Sequence, residues 1–265
     1  PAPSMSDSEI EDRRTINQLL DVAIAYSFNP QWAATLSLPL VVRDHSHTFD
    51  SSVTGPFIQQ AGFSKLGDVR VGGRYAFRGN TGESGSGLRF GLKLPTGATN
   101  RAMTPPDPAD PSTPYKLERS SQPGTGSTDV ILGGYHYWNM PDRSYGWFLS
   151  GQVQSAMATR DRYRPGREWA IDLGGHYELA EGVNVLLQVN GLHRDRDSGA
   201  NANPASGGRS WNISPGISFA LTPQSQIYGF VQLPLHQYKN TDPADAASGQ
   251  LAARWSASIG FTQRF

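Results

Sequence analysis

The chain has 265 residues, 23 Lys+Arg against 23 Asp+Glu, no cysteine, 29 glycines and 19 prolines. Zero net charge argues against a nucleic-acid binder, which normally carries a basic excess. The missing cysteine removes disulfide scaffolds, thiolate zinc sites and cysteine nucleophiles, and no apolar run reaches the ~18 residues of a membrane-spanning helix. Charged residues are 17% of the chain, below the roughly 25% of an ordinary soluble domain. The opening Pro1-Ala-Pro-Ser4 is polar and loop-like, as in a processed or trimmed chain. Few charges, many glycines and spread aromatics fit either a soluble β-fold or a transmembrane β-barrel.

Period-2 alternation separates the two. Strands are expected near 13–28, 32–42, 69–77, 88–94, 126–138, 145–157, 169–177, 183–190, 211–219, 226–238 and 251–265, eleven in all. Trp32-Ala-Ala-Thr-Leu36-Ser-Leu38 and Trp169-Ala-Ile171-Asp-Leu173 show the pattern clearly. Counting back from Phe265 gives Phe261, Ile259, Ala257, Trp255, Ala253 and Leu251 on one face, with Arg264, Thr262, Ser258 and Arg254 on the other. Such runs exceed the ~5–6 residues of a soluble strand and are long enough to cross a bilayer at a tilt. A closing strand that ends on Phe resembles the C-terminal signature of bacterial outer-membrane proteins. Aromatics near the strand ends (Trp32, Tyr75, Trp138, Trp147, Trp169, Trp211 and Trp255) read as interfacial girdles.

The connections alternate in length. Short ones lie at 29–31, 79–87, 139–144, 180–182 and 222–224; long ones lie near 44–65, 97–125, 158–166, 195–208 and 239–250. Short turns are periplasmic and long loops extracellular in such barrels. The expected fold is all-β: a transmembrane, antiparallel, up-and-down barrel of the Gram-negative outer membrane. Eleven strands are readable, and an odd count conflicts with even-stranded bacterial barrels. Twelve are therefore expected, with the first outside this numbering, residues 1–12 as an extracellular loop tail or disordered lead and 13–265 as one barrel domain. The alternative is one uncounted strand inside 44–65 or 97–125.

Three phrases near outer strand ends carry proline: Ser37-Leu-Pro39-Leu, Lys93-Leu-Pro95-Thr and Gln232-Leu-Pro234-Leu. Proline cannot donate to the ladder. Pro39, Pro95 and Pro234 either end regular strand before a loop or mark breaks in the wall at the outer rim.

The same phrases carry a family resemblance. Leu36-Ser-Leu-Pro-Leu, Gly67-Asp68-Val69, Gly73-Arg-Tyr75, Gly91-Leu-Lys-Leu-Pro-Thr-Gly97 and Gly124-Thr-Gly-Ser127-Thr-Asp129-Val-Ile-Leu-Gly133 follow one another in order. From about residue 16 to 265 the chain resembles the outer-membrane proteins grouped as the MetA pathway of phenol degradation, often called transporters. The resemblance implies a barrel in the outer membrane and uptake of aromatic or other small apolar compounds.

Alternation places Arg70, Arg74, Arg89 and Lys93 on the lumen side, with Asp21, Asp68, Asp172 and Arg254 on other inner faces. A basic stripe opposite scattered carboxylates makes a transverse field that selects solutes by charge. The alternative is a filled interior held by salt bridges. For an enzyme, the best constellation is His45-Ser-His47 beside Asp44, which reads better as a solvated loop. His176 and Asp172 share a strand face, as lumen hydrogen-bonding groups. No nucleophile elbow, phosphate loop or metal motif is present. Asp107-Pro-Ala-Asp110 and Asp242-Pro-Ala-Asp245 read as rigid hydrophilic loops or cation holders. Arg160, Arg162, Arg164 and Arg167 are placed to meet lipopolysaccharide phosphates or water.

The expected function is passive, cofactor-free passage of small solutes through an outer-membrane channel, without enzymatic activity or metal. Membrane lipids, lipopolysaccharide and the solute are the expected partners, not nucleic acid. A scaffold barrel that anchors or sheathes a partner such as a redox protein is the alternative. The long loop 97–125 is then the inward plug or the docking surface for that protein.

Overall fold

The computed structural model describes residues 11–51, 53–112, 115–244 and 252–265. The expected lead at 1–12 therefore lies mostly outside the described residues, and strand begins at Glu11. The strands are β1 (Glu11–Ser27), β2 (Trp32–Ser51), β3 (Gly55–Leu66), β4 (Arg70–Ala76), β5 (Ser84–Lys93), β6 (Asp129–Asn139), β7 (Tyr145–Ala156), β8 (Glu168–Ala180), β9 (Val183–Arg194), β10 (Gly208–Thr222), β11 (Ser225–Lys239) and β12 (Ser256–Gln263). Their order in the sheet is β1-β2-β4-β5-β6-β7-β8-β9-β10-β11-β12, with β3 off this path and paired to β2. The path thus holds the eleven expected strands, and the twelfth lies inside 44–65. Among the described residues no helix is long and apolar enough to cross a membrane; the only one is a single 3-10 turn at Arg119–Ser121. Contacts divide the chain into two compact units: residues up to Ile24 with Leu36–Arg70 and Lys93–Thr128, and Ala25–Thr35 with Val71–Leu92 and Asp129–Phe265.

In the first unit β2 and β3 form a hairpin in register from Leu40↔Leu66 to Ser51↔Gly55. The expected loop at 44–65 is therefore strand. Its polar residues hide the alternation: His45 and His47 are buried, the first bonded to Thr15 Oγ1 (2.8 Å) and the second to Gln59 Oε1 (3.0 Å). Buried polar side chains persist when bonded, so the His-Ser-His phrase is part of a packed hairpin and not a solvated loop. The segment after β5 folds onto this hairpin. Gln60 pairs with Thr104 and Ala102 with Lys116. Ala61, Met103 and Leu117 form a small core with Phe63 against it.

In the second unit the register explains the sequence pattern. Leu149, Leu173, Val189, Ile213 and Leu233 are successive cross-strand partners on one face. Ser150, Asp172, Asn190 and Asn212 make the equivalent row on the other. Leu149, Leu173 and Leu233 are 42–51% exposed. An apolar face left bare over so many strands has hydrocarbon as its natural solvent.

The polar face carries a second device. Tyr135 lies over Gly87, where a Cβ would come 2.7 Å from its ring; Phe148 lies over Gly174, Phe230 over Gly216 and Tyr228 over Gly260. In each pair the ring occupies the space that a side chain on the facing strand would take.

Candidate functional site

A cavity of about 480 Å³ opens on the polar face of the second unit. Arg74 and Arg89 line it from β4 and β5, Tyr135 and Tyr137 from β6, Phe148 and Ser150 from β7, Asp172 from β8 and Gln188 from β9. Strand alternation puts Tyr135 with Tyr137 and Phe148 with Ser150 on one face, two residues apart, while His136 lines the cavity from between the two tyrosines. Arg89 Cζ lies 5.1 Å from the Tyr135 ring centre, a cation–π contact. Arg74 has a buried Nε without a hydrogen-bond partner. Asp172 accepts from Ser150 Oγ (3.3 Å) and Asn190 Nδ2 (2.8 Å), and Asn190 Oδ1 accepts from Ser214 Oγ (2.7 Å). The cavity thus offers guanidinium donors, a carboxylate held by neutral donors and aromatic walls.

Three of the eight expected inner-face residues, Arg74, Arg89 and Asp172, meet at this cavity. Lys93 sits elsewhere. It is 4% exposed, with Nζ 3.4 Å from Asp68 Oδ2, and donates to Thr125 Oγ1 and to Ser127 Oγ (3.4 Å). Asp68 also accepts from the backbone N–H of Gly97 (3.0 Å), the N–H of Thr125 (2.8 Å) and Thr125 Oγ1 (2.9 Å). The Gly-Asp, Lys-Leu-Pro-Thr-Gly and Gly-Thr-Gly-Ser phrases therefore converge on one buried ion pair in the first unit. Gly97 and Gly124 make the approach possible, since a Cβ on Gly124 would come 2.6 Å from Gly97 Cα.

Arg70 is exposed at the start of β4. Asp21 is exposed and accepts from Ser37 Oγ at 2.7 Å. Arg254 lies before β12, which starts at Ser256, because the ladder with β11 runs only from Gln232↔Ser256 to Ser225↔Gln263. The alternation read over 251–265 is longer than the strand that forms.

The three prolines differ. Pro95 follows the end of β5. Pro234 lies inside β11 beside a register irregularity between Trp211 and Asn212, so a ladder break occurs there. Pro39 lies inside β2, and its carbonyl accepts from Gly67 N (2.7 Å), which carries the hairpin pairing past the end of β3.

Sequence reading missed the loop cluster of the second unit. Tyr163 is 1% exposed and donates to Asp197 Oδ2 (2.9 Å); Asp197 Oδ1 accepts from Arg194 (2.8 Å) and from Gly166 N (2.8 Å). Burial, and then the Asp197 carboxylate, push the Tyr163 phenol well above the ordinary range. Arg164 is tied to the Ala156 carbonyl (2.8 Å), while Arg160 and Arg162 are exposed. Of the aspartates of the repeated Asp-Pro-Ala phrase, Asp107 accepts from Ala109 N in its own loop and from Ser51 Oγ at the end of β2, and Asp242 accepts from Ala244 N. Asp245 lies outside the described residues. Among the described residues no group of three His, Asp or Glu could hold a metal.

The family model described as "Putative MetA-pathway of phenol degradation" matches residues 111–238. Of the phrases that carry the resemblance, Gly124–Gly133 falls in that stretch, and those between 36 and 97 lie before it. A crystal structure of an outer membrane channel from Pseudomonas putida F1 is similar over 84% of this chain and 78% of its own, with TM-score 0.56 and 13% identity. The chain has the fold of an outer-membrane β-barrel. The family match agrees with the resemblance over residues 111–238. OmpT, an outer membrane protein of Vibrio cholerae, aligns over 99% of each chain at 9% identity, with a lower TM-score of 0.42. No curated protein matches this barrel. Its exposed apolar rows face membrane lipid, and its polar face carries the cavity.

Proposed function

We propose that the barrel is a passive channel for small solutes, and that the cavity on its polar face is part of the path. The observation that carries this reading is the lining: Arg74 and Arg89 from one pair of strands, Asp172 and Gln188 from another, and Tyr135 and Phe148 as walls. A filled, purely structural interior would pair these charges with each other. Here Arg89 stacks on a tyrosine and Asp172 takes neutral donors. The likeness in fold to a protein that is itself an outer membrane channel supports the reading. Aromatic walls beside guanidinium groups suit small aromatic solutes, which agrees with the family description.

The test is single-channel conductance of the purified protein in a planar bilayer, with and without simple aromatic solutes. Steady channels blocked transiently by an aromatic solute are expected, with the block weakened in Arg89→Ser. Silence from heat-modifiable, folded protein would overturn the channel reading in favour of a scaffold barrel.

A further inference from the structure

The apolar face of the second unit is not uniformly filled. One cross-strand row reads Val153, Trp169, His193 and Arg209, and the row two residues away reads Gly151, Ile171, Gly191 and Trp211. Two glycines in a row of large side chains leave a groove of about 520 Å³, bounded by Trp169 and Trp211. Trp211 leans over Gly191, where a Cβ would lie 2.8 Å from its ring, while a Cβ on Gly151 would meet only the Ala170 carbonyl at 3.7 Å. The groove is therefore deepest over Gly151.

Its position along the strands is set by the register. Trp169 is the second residue of β8, His193 the last but one of β9 and Arg209 the second of β10. All three stand at the long-loop end, which faces the cell exterior in such barrels. Arg209 lines the groove, with Cζ 5.4 Å from the Tyr238 ring. Arg167 Cζ lies 6.0 Å from the Trp169 ring. His193 is engaged by Asp195 at 3.2 Å. An apolar trough below a pair of ring-stacked guanidinium groups matches an acyl chain joined to a phosphate. At the outer leaflet of this membrane the lipid with that chemistry is lipopolysaccharide.

We propose that the groove is a binding site for the lipid A part of lipopolysaccharide. One acyl chain lies over Gly151, against the Trp211 ring that covers Gly191, and a phosphate is held by Arg209 with Arg167 beside it. The site is on the lipid side of the wall and does not depend on passage of solute through the interior.

The test is native mass spectrometry of the full chain released from detergent, with defined lipid A or phosphatidylethanolamine added. Two variants probe the two halves of the site: Arg167→Ser/Arg209→Ser removes the charges, and Gly151→Leu fills the trough where the backbone leaves room. Heat-modifiable migration on gels checks that each variant is folded. The expected result is one lipid A per chain in the unaltered protein, and at least about a tenfold loss of that species in both variants, the scale of a lost charge-assisted contact. No lipid A on the unaltered protein, unchanged binding in either folded variant, or equal retention of phosphatidylethanolamine would overturn the proposal.

Discussion

Lys93 Nζ lies 3.4 Å from Asp68 Oδ2, and the two side chains are only 5% and 7% exposed. The pair joins the start of β4, the end of β5 and the Gly124–Ser127 segment. Breaking a buried pair by removing one partner strands the other charge, at a cost of about 3–5 kcal/mol. Lys93→Met and Asp68→Asn are each expected to lower the urea midpoint of the protein in lipid vesicles. The double variant should lose less than the sum of the two. Asp68→Asn should be the more severe single change, because Asp68 also accepts two backbone N–H bonds. Additive losses in the double variant would contradict the coupling.

Gly124 tests the same knot without removing a charge, although a Cβ there would come 2.5 Å from Asp68 Oδ1. A Cβ there would press on Gly97 Cα and its carbonyl, both backbone atoms that cannot swing away. Gly124→Ala is expected to cost about 1–3 kcal/mol, as overpacking does. Gly151→Ala, whose Cβ would make only an ordinary contact with the Ala170 carbonyl at 3.7 Å, should stay close to the unaltered stability in the same denaturation series.

The cavity charges should act on permeation and not on folding. Arg74 and Arg89 line one side and Asp172 another. Under a salt gradient, Arg89→Ser is expected to shift the reversal potential toward cation preference, and Asp172→Asn toward anion preference. Lys93→Met should leave the potential of folded channels unchanged, since its charge is spent on Asp68. A shift with Lys93→Met equal to that of Arg89→Ser would move the selective region to the ion pair.

Tyr163 gives a pH signature in a loop. Its phenol titrates above the ordinary tyrosine value because it is buried and faces Asp197. A folded-state pKa above the unfolded one means the stabilisation is whole below about pH 10 and is lost as pH rises beyond it. Of the ten tyrosines, this one is expected to stay un-ionised when exposed ones titrate. In an ultraviolet titration of the folded protein, Tyr163→Phe should therefore remove no amplitude near pH 10. It should still lower stability by about 1 kcal/mol, the worth of one hydrogen bond. Lost amplitude near pH 10 would show that the phenol is open to water.

Much of the barrel was legible because the strand period and the apolar face coincide. Trp169, Ile171 and Leu173 alternate with Ala170 and Asp172 along the chain and across the sheet alike. The same parity brought Arg74, Arg89 and Asp172 to one face. It did not separate Lys93 from them, since the burial of Lys93 comes from a segment thirty residues further on folding back, with Thr125 and Ser127 as its ligands. The β2–β3 hairpin stayed hidden because His45, His47 and Gln59 are polar yet buried. Arg254 was misplaced because alternation continues past the point where β11 stops pairing. Tyr135 and Phe148, as cavity walls, were within reach of the same parity argument, read from the glycines that face them.

Those glycine–aromatic pairs have a consequence for assembly. A period-2 pattern cannot tell the native register from one slipped by two residues, because every apolar side chain still points to lipid. Tyr135 over Gly87, Phe148 over Gly174, Phe230 over Gly216 and Tyr228 over Gly260 can. Sliding β6 against β5 by two residues would set the Tyr135 ring against Arg89 or Gly85 in place of Gly87; the same slip of β11 against β12 would confront Tyr228 with Ser258 or Thr262. Gly85 is itself a notch, already filled by Tyr137, so on β5 it is the two rings together that fix the register; elsewhere each ring is a tooth with one matching notch, and the pairs proofread strand alignment while the wall is being laid down.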